Sequence, residues 1–80
     1  MRRYEQVEGR EDQETFVSID YEERTVVVYS NRATVMNRMI GAGYEPTREF
    51  TLDGEVCACE WVFPSSAIGK FMRTGLFKYD

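Results

Sequence analysis

The sequence predicts an α+β domain: a mainly antiparallel four-stranded sheet with two helices packed on one face. Two observations predict this class. Strand-type runs occur in two pairs, each pair joined by a short turn, and an apolar stripe at helical spacing follows each pair. The predicted order of elements is therefore ββαββα. A chain of 80 residues has room for one such domain with a single core.

The clearest local signal is Asp53-Gly54, which separates two strand-type runs between Thr47 and Phe63. Asp-Gly favours a type I′ turn, because both central residues of that turn need positive φ. A two-residue loop also sets the register of the hairpin. The predicted cross-strand pairs are Leu52 with Glu55, Phe50 with Cys57, and Arg48 with Cys59. Alternation of side chains then gives a core face of Phe50, Leu52, Cys57, Cys59, Trp61 and Phe63.

The first hairpin is predicted from two runs rich in β-branched and aromatic residues, Thr15 to Asp20 and Thr25 to Ser30. A turn over residues 21–24 pairs the strands as Ile19 with Val26, Val17 with Val28, and Phe16 with Tyr29. One face is aliphatic, and consists of Val17, Ile19, Val26 and Val28. The other consists of Phe16, Ser18, Val27 and Tyr29, and is more apolar than a solvated face requires. Which of these two faces is buried stays open.

The first helix is predicted over Arg32 to about Ala42, with Asn31 or Ser30 as its N-cap and Gly43 as the left-handed residue beyond its end. Its apolar stripe is Val35, Met36, Met39 and Ile40. A shorter second helix is predicted from about Ser66 to Thr74. A shift of 32 residues superposes the two stripes, but it also places Val17 and Ile19 on Glu49 and Thr51. Internal duplication and coincidence therefore both remain open.

Residues 1–14 are almost wholly polar and lack a period, so we expect a flexible acidic tail before a domain over residues 15–80. An edge strand over Arg3 to Val7 is the alternative. The chain has no run of about 18 apolar residues and no apolar stretch after its first arginines, so neither a membrane span nor a signal peptide is expected. We therefore expect a cytoplasmic protein.

Charge is unevenly distributed along the chain, whose net charge is −4. Residues 1–23 hold eight acids and three bases, whereas residues 61–79 hold three bases (Lys70, Arg73, Lys78) and no acid. Such asymmetry can steer a charged partner. The acidic third could mimic a nucleic-acid backbone in a partner's basic groove, or it could only keep the tail soluble.

The residue types present exclude most catalytic arrangements. Without histidine there is no Ser-His or Cys-His nucleophile pair. Cys57 and Cys59 are expected on one face of a strand, but a structural zinc site needs four ligands, which only two chains together could supply. We interpret both as small packed residues. Glu49 and Glu60, expected on one face of adjacent strands, are the one candidate acid pair, and we expect them to face water. No catalytic, cofactor or metal residue is predicted, and the chain is not expected to be an enzyme.

Two helices on one face leave the second face of the sheet partly bare. The predicted apolar patch consists of Phe16, Val27, Tyr29, Val56, Ala58 and Val62, and such patches usually mark interfaces. The predicted partner-binding residues are Phe16, Val27 and Tyr29, with Asp20, Glu22 and Glu23 beside them. The expected partner is a protein or a second copy of the chain. The alternative is a nucleic acid, held by sheet aromatics and the basic C-terminal end; the excess of acids disfavours it.

The pattern ETFVSIDYEERTVVVYSNRATVMNRM, followed by EPTREFTLDGEVCACEWVFP, resembles small uncharacterised proteins of phages and integrated mobile elements of Gram-positive bacteria. The resemblance covers about residues 14 to 73. It lies in a strand ending in Tyr-Ser, a helix, and a Gly-Glu-Val hairpin ending near a Trp. It implies an accessory protein of a mobile element that binds a host protein, including inhibition of a defence system such as a CRISPR effector. It carries no catalytic residue.

Overall fold

The computed structural model describes residues 3–67. Its strands are β1 (Thr15–Asp20), β2 (Thr25–Ser30), β3 (Arg48–Leu52) and β4 (Glu55–Pro64), and its helix is α1 (Ala33–Gly41). Short 3-10 turns cover Arg10–Asp12 and Ser65–Ala67. The α+β class is confirmed. The predicted second helix, from about Ser66 to Thr74, lies almost wholly outside the described residues.

The four strands form one antiparallel sheet in the order β1-β2-β4-β3. The predicted register of the first hairpin is confirmed, including Ile19 opposite Val26 and Phe16 opposite Tyr29. Its turn ends on Arg24, whose φ is 56°. In the second hairpin Asp53 and Gly54 have φ of 53° and 84°, as a type I′ turn requires.

The core lies between one face of the sheet and α1. Val26, Val28 and Trp61 point from the two central strands towards the helix. The helix contributes the predicted stripe Val35, Met36, Met39 and Ile40, all buried. The aliphatic face of the first hairpin is therefore the one under the helix. Its outer members, Val17 and Ile19, stay exposed because α1 packs over β2 and β4.

The C-terminal end of α1 follows the predicted signal. The N–H of Gly43 donates to the Ile40 carbonyl (2.9 Å), and that of Tyr44 donates to the Met39 carbonyl (3.0 Å). These two bonds form a Schellman motif, and Gly43 takes φ 93° as the left-handed residue. Two otherwise free carbonyls of the last turn are thereby satisfied.

The N-terminal end of α1 does not follow its predicted signal. Arg32 occupies the cap position without a side-chain cap bond. The Ala33 N–H donates instead to Oε1 of Gln6 (2.8 Å), which lies 27 residues away in the sequence. Asn31 does not cap the helix, because its amide holds the chain before β1: it accepts from the Glu14 N–H (2.6 Å) and donates to the Asp12 carbonyl (2.8 Å).

The N-terminal segment, residues 3–14, packs against the domain, whereas composition predicted a flexible tail. Tyr4 belongs to the core cluster and is 8% exposed. The Asn37 side chain bonds both the N–H of Tyr4 (2.7 Å) and its carbonyl (3.0 Å). Gln6 also donates to the Asn31 carbonyl (3.0 Å). The polar composition of the segment predicted flexibility, but polar side chains form the hydrogen bonds that hold it to the domain.

A β-bulge corrects the predicted register of the second hairpin. Leu52 lies opposite Glu55 as predicted, but Phe50 lies opposite Ala58 and Arg48 opposite Glu60. The register shifts between Phe50 and Thr51, and Cys57 is the extra residue of β4. Because a one-residue shift moves side chains to the other face, the predicted core face was wrong for Phe50 and for Leu52, which is 51% exposed. Val56, predicted on the bare face, packs against the core instead.

Candidate protein-docking face

The sheet surface opposite α1 carries no second helix within residues 3–67, and we call it the open face. Strand pairing places Phe16 and Tyr29 on this side, with Val27 opposite Val62 and Phe50 opposite Ala58. The open face consists of Phe16, Val27, Tyr29, Phe50, Leu52, Ala58 and Val62, with Arg48 and Glu60 among them. Three of the predicted partner-binding residues (Phe16, Val27 and Tyr29) are therefore brought together here.

An aromatic strip crosses the open face from one edge of the sheet to the other. The rings of Phe16 and Tyr29 are stacked, with centroids 5.0 Å apart and planes at 21°. Tyr29 meets Phe50 edge-on at 5.9 Å and 62°. Ala58 of β4, opposite Phe50, is only 2% exposed. A small residue on β4 thus allows rings on β2 and β3 to touch.

The charges around the strip are mostly negative. Burial raises the pKa of the Tyr29 phenol, and the nearby Glu14, Cys57 and Glu8 raise it further. The phenol therefore stays protonated and available as a hydrogen-bond donor near neutral pH. Glu60 lies opposite both Tyr29 and Arg48.

One cation lies on the strip itself. The Arg48 guanidinium carbon is 5.7 Å from the Phe50 ring centroid, within cation–π distance. This contact shows that the geometry of the strip admits a guanidinium over an aromatic face. The acids beside Tyr29 favour a second cation at the other end of the strip, where the described strands supply none.

The three predicted acids lie apart from the aromatic strip. Asp20 ends β1, and its Oδ1 accepts the backbone N–H of Glu22 (3.1 Å) and of Glu23 (3.0 Å). Asp20 therefore builds the β1–β2 turn, and the two glutamates are exposed within that turn. Four residues along a strand span about 13 Å, which separates Asp20 from Phe16. These acids can lie at the periphery of a partner docked on the aromatic strip, but they are not part of the strip.

Sequence reasoning missed Phe50, Leu52 and Arg48 as members of the open face. All three were misplaced by the assumption of an unbroken register across β3 and β4. The available signal was Ala58, since a small residue in a strand permits large neighbours to meet above it. No residue type marks the bulge at Cys57 in the sequence.

The candidate groups for chemistry are separated by the fold. Cys59 is fully buried beside Tyr4, whereas Cys57 is partly exposed, lies near Tyr29, and its Sγ donates to the Phe50 carbonyl (3.4 Å). The expected shared face of the two thiols was wrong. Glu49 and Glu60 are also on opposite faces, because Glu49 lies opposite Cys59 and accepts the Tyr4 hydroxyl. The expected acid pair on one face was wrong as well.

Within residues 3–67, no three His, Cys, Asp or Glu side chains are grouped to hold a metal ion. No helix of this part of the chain is long and apolar enough to cross a membrane. Comparison of the chain with protein-family models, with curated proteins and with solved structures finds no match.

Proposed function

We propose that this chain is a non-enzymatic protein-binding module that docks a host protein or protein complex on the open face of its sheet. The aromatic strip of Phe16, Tyr29 and Phe50 is the observation that carries the proposal. Aromatic residues dominate the binding energy of protein interfaces because they bury large areas with few rotatable bonds. No helix within residues 3–67 covers these three rings, and a docked partner would bury them.

The charge of the face supports a basic protein surface as the partner. Glu8, Glu14 and Glu60 lie around Tyr29, and the net charge of the chain is −4. A partner with arginine or lysine at its contact surface gains from this field and binds faster. A second copy of the chain would place the same acids opposite these acids, so its charge is less complementary to the open face.

The resemblance to small phage and mobile-element proteins supports a biological setting for this binding. In that setting the chain is an accessory protein in the cytoplasm of a bacterial host, and inhibition of a defence system such as a CRISPR effector is one such role. The resemblance supports the setting only. The chemistry of the open face supports the mode of binding.

A nucleic-acid-binding role is the second candidate, because aromatic rings on the face of a four-stranded sheet suit base stacking. Phosphate contacts require cations, and Arg48 is the one cation that the described strands place on this face. The basic residues Lys70, Arg73 and Lys78 lie outside the described residues. The acids near Tyr29 repel phosphates, so this candidate ranks second.

Affinity capture from a bacterial lysate, with and without nuclease, tests the proposal. We expect nuclease-resistant capture of a protein, reduced at least tenfold by Tyr29→Asp, since truncating an interface aromatic costs about 2 kcal/mol or more. Tyr21→Asp is the matched control: the same change at an 85% exposed tyrosine in the β1–β2 turn, which should leave capture unchanged. Phe16→Ser repeats the test at an edge residue.

Two results would count against the proposal. Equal capture by wild type and Tyr29→Asp removes the open face as the docking surface. Loss of all capture after nuclease treatment, with direct retention of DNA or RNA at about 150 mM salt, favours the nucleic-acid candidate instead. Light scattering of wild type and Tyr29→Asp then shows whether a second copy occupies the face.

A further inference from the structure

Strand β1 forms an outer edge of the sheet, and all six of its residues are exposed. In an antiparallel ladder, residues alternate between those that bond the neighbouring strand and those whose N–H and C=O point away from it. The Asn31 N–H donates to the Glu14 carbonyl (3.1 Å), which sets the phase of this alternation. Phe16, Ser18 and Asp20 therefore bond to β2. The backbone groups of Thr15, Val17 and Ile19 point outward.

Both sides of this edge carry apolar side chains. Phe16, on the open face, is 48% exposed, whereas Val17 and Ile19, on the helix side, are 37% and 43% exposed. Helix α1 packs over β2 and β4 and leaves β1 uncovered. A strand added beside β1 would gain main-chain hydrogen bonds along its length and apolar contacts above and below.

The opposite edge of the sheet is protected in ways that β1 is not. β3 carries Arg48 and Glu49 side by side, and its pairing with β4 is interrupted by the bulge. Charges and bulges are the usual means by which sheet edges avoid pairing with other chains. The sequence TFVSID of β1 has no Pro, Gly or Lys, and its single charge is at its end.

We propose that the outer edge of β1 accepts an extended strand from the partner protein, with β-branched residues at alternate positions and Lys or Arg at its ends. This rests on the proposed function for the partner being a protein, and it names the segment that the partner contributes. Glu14 directly precedes β1 and Asp20 ends it, so a strand with basic ends is complementary in charge. Antiparallel pairing of β1 with a second copy would place Asp20 near Glu14 twice, and like charges oppose it.

The probe is the peptide acetyl-Lys-Thr-Val-Thr-Val-Thr-Lys-amide, added to the labelled full chain and followed by amide hydrogen exchange. We expect the amides of Thr15, Val17 and Ile19 to exchange at least tenfold more slowly at saturation. Those of Phe16 and Ser18, already bonded to β2, should change little. A peptide with Glu in place of both Lys residues should bind at least tenfold more weakly.

Val17→Pro removes one outward N–H and no hydrogen bond of β1 to β2, since Pro is tolerated at edges where its missing N–H faces solvent. It should weaken peptide binding at least tenfold, whereas Val17→Thr keeps the amide and the branched shape and should bind within about threefold of wild type. Thr15→Pro, at the first residue of the strand, serves if Val17→Pro does not fold.

Three results would overturn the inference: unchanged exchange at the three outward amides, protection of those amides in the dilute protein without peptide, or a dimer in light scattering that Val17→Pro dissolves. The last assigns the edge to a second copy. Tyr29→Asp should still bind the peptide. If the peptide does not bind but partner capture still depends on Tyr29, only the inference of an added strand is refuted. If the peptide binds but partner capture does not depend on Tyr29, only the open face is refuted as the docking surface.

Discussion

Replacing Tyr4 tests whether the N-terminal segment belongs to the folded domain. Its ring lies in the core, and its hydroxyl donates to Oε2 of Glu49 at 2.6 Å. Its backbone is held on both sides by the amide of Asn37. A tyrosine in a free tail would have none of these contacts, and surface changes of that kind alter stability by no more than about 0.5 kcal/mol.

The expected losses follow from these contacts. Tyr4→Phe removes a hydrogen bond to a charged acceptor, which contributes about 1.5–3 kcal/mol in general. Glu49 is exposed, so water can replace the hydroxyl and the loss should be near the lower end. Tyr4→Ala also removes the buried ring, for a total of about 3–5 kcal/mol. A domain of this size has a stability of about 4–12 kcal/mol, so the second variant should lose a large fraction of it.

Urea unfolding followed by the fluorescence of Trp61 measures both losses. Tyr21→Phe, at an 85% exposed tyrosine, is the control and should leave the midpoint unchanged. The reasoning is refuted if Tyr4→Ala unfolds at the wild-type midpoint, because the segment would then contribute nothing to the core.

The same tyrosine predicts how stability responds to alkaline pH. Burial first, and then Glu49 and Cys59, raise the pKa of Tyr4 above the value of about 10 for an exposed tyrosine. Above pH ~10 the unfolded chain loses this proton while the folded chain keeps it, so stability is full below that pH and falls as pH rises further. Tyr4→Phe should reduce the fall. A remainder should persist, because the Tyr29 pKa is raised as well.

Two further predictions concern the second hairpin. Trp61 is 1% exposed and its Nε1–H donates to the Tyr44 carbonyl (3.1 Å). Trp61→Ala should therefore lose about 3–5 kcal/mol of unfolding free energy, which circular dichroism detects as a much lower melting temperature; a cooperative melt near wild type would contradict this. Cys59→Ala should lower the melting temperature more than Cys57→Ala, since only Cys59 is fully buried, and both variants should keep partner capture. Stoichiometric zinc in the purified protein would argue for a metal role instead.

Local signals predicted the elements whose geometry depends on neighbours in the chain. Asp53-Gly54 predicted the type I′ turn because few residues tolerate positive φ twice in succession. Gly43 predicted the end of α1 for the same reason, and the stripe from Val35 to Ile40 predicted the buried side of the helix. The register of the first hairpin followed from its turn length. That register predicted, from the sequence alone, that Phe16 and Tyr29 lie next to each other on one face of the sheet.

Only the tertiary structure decided the features that depend on distant contacts. Tyr4 enters the core because Asn37, 33 residues away, bonds its backbone, and Gln6 caps α1 across 27 residues. Neither of these contacts produces a periodic pattern in the sequence around the residues involved. The bulge at Cys57 likewise results from packing: it turns Val56 into the core and leaves Phe50 to complete the aromatic strip. Composition and spacing define which residues can form each element, but the faces of Phe50, Leu52 and Val56 were decided by the register that packing selects.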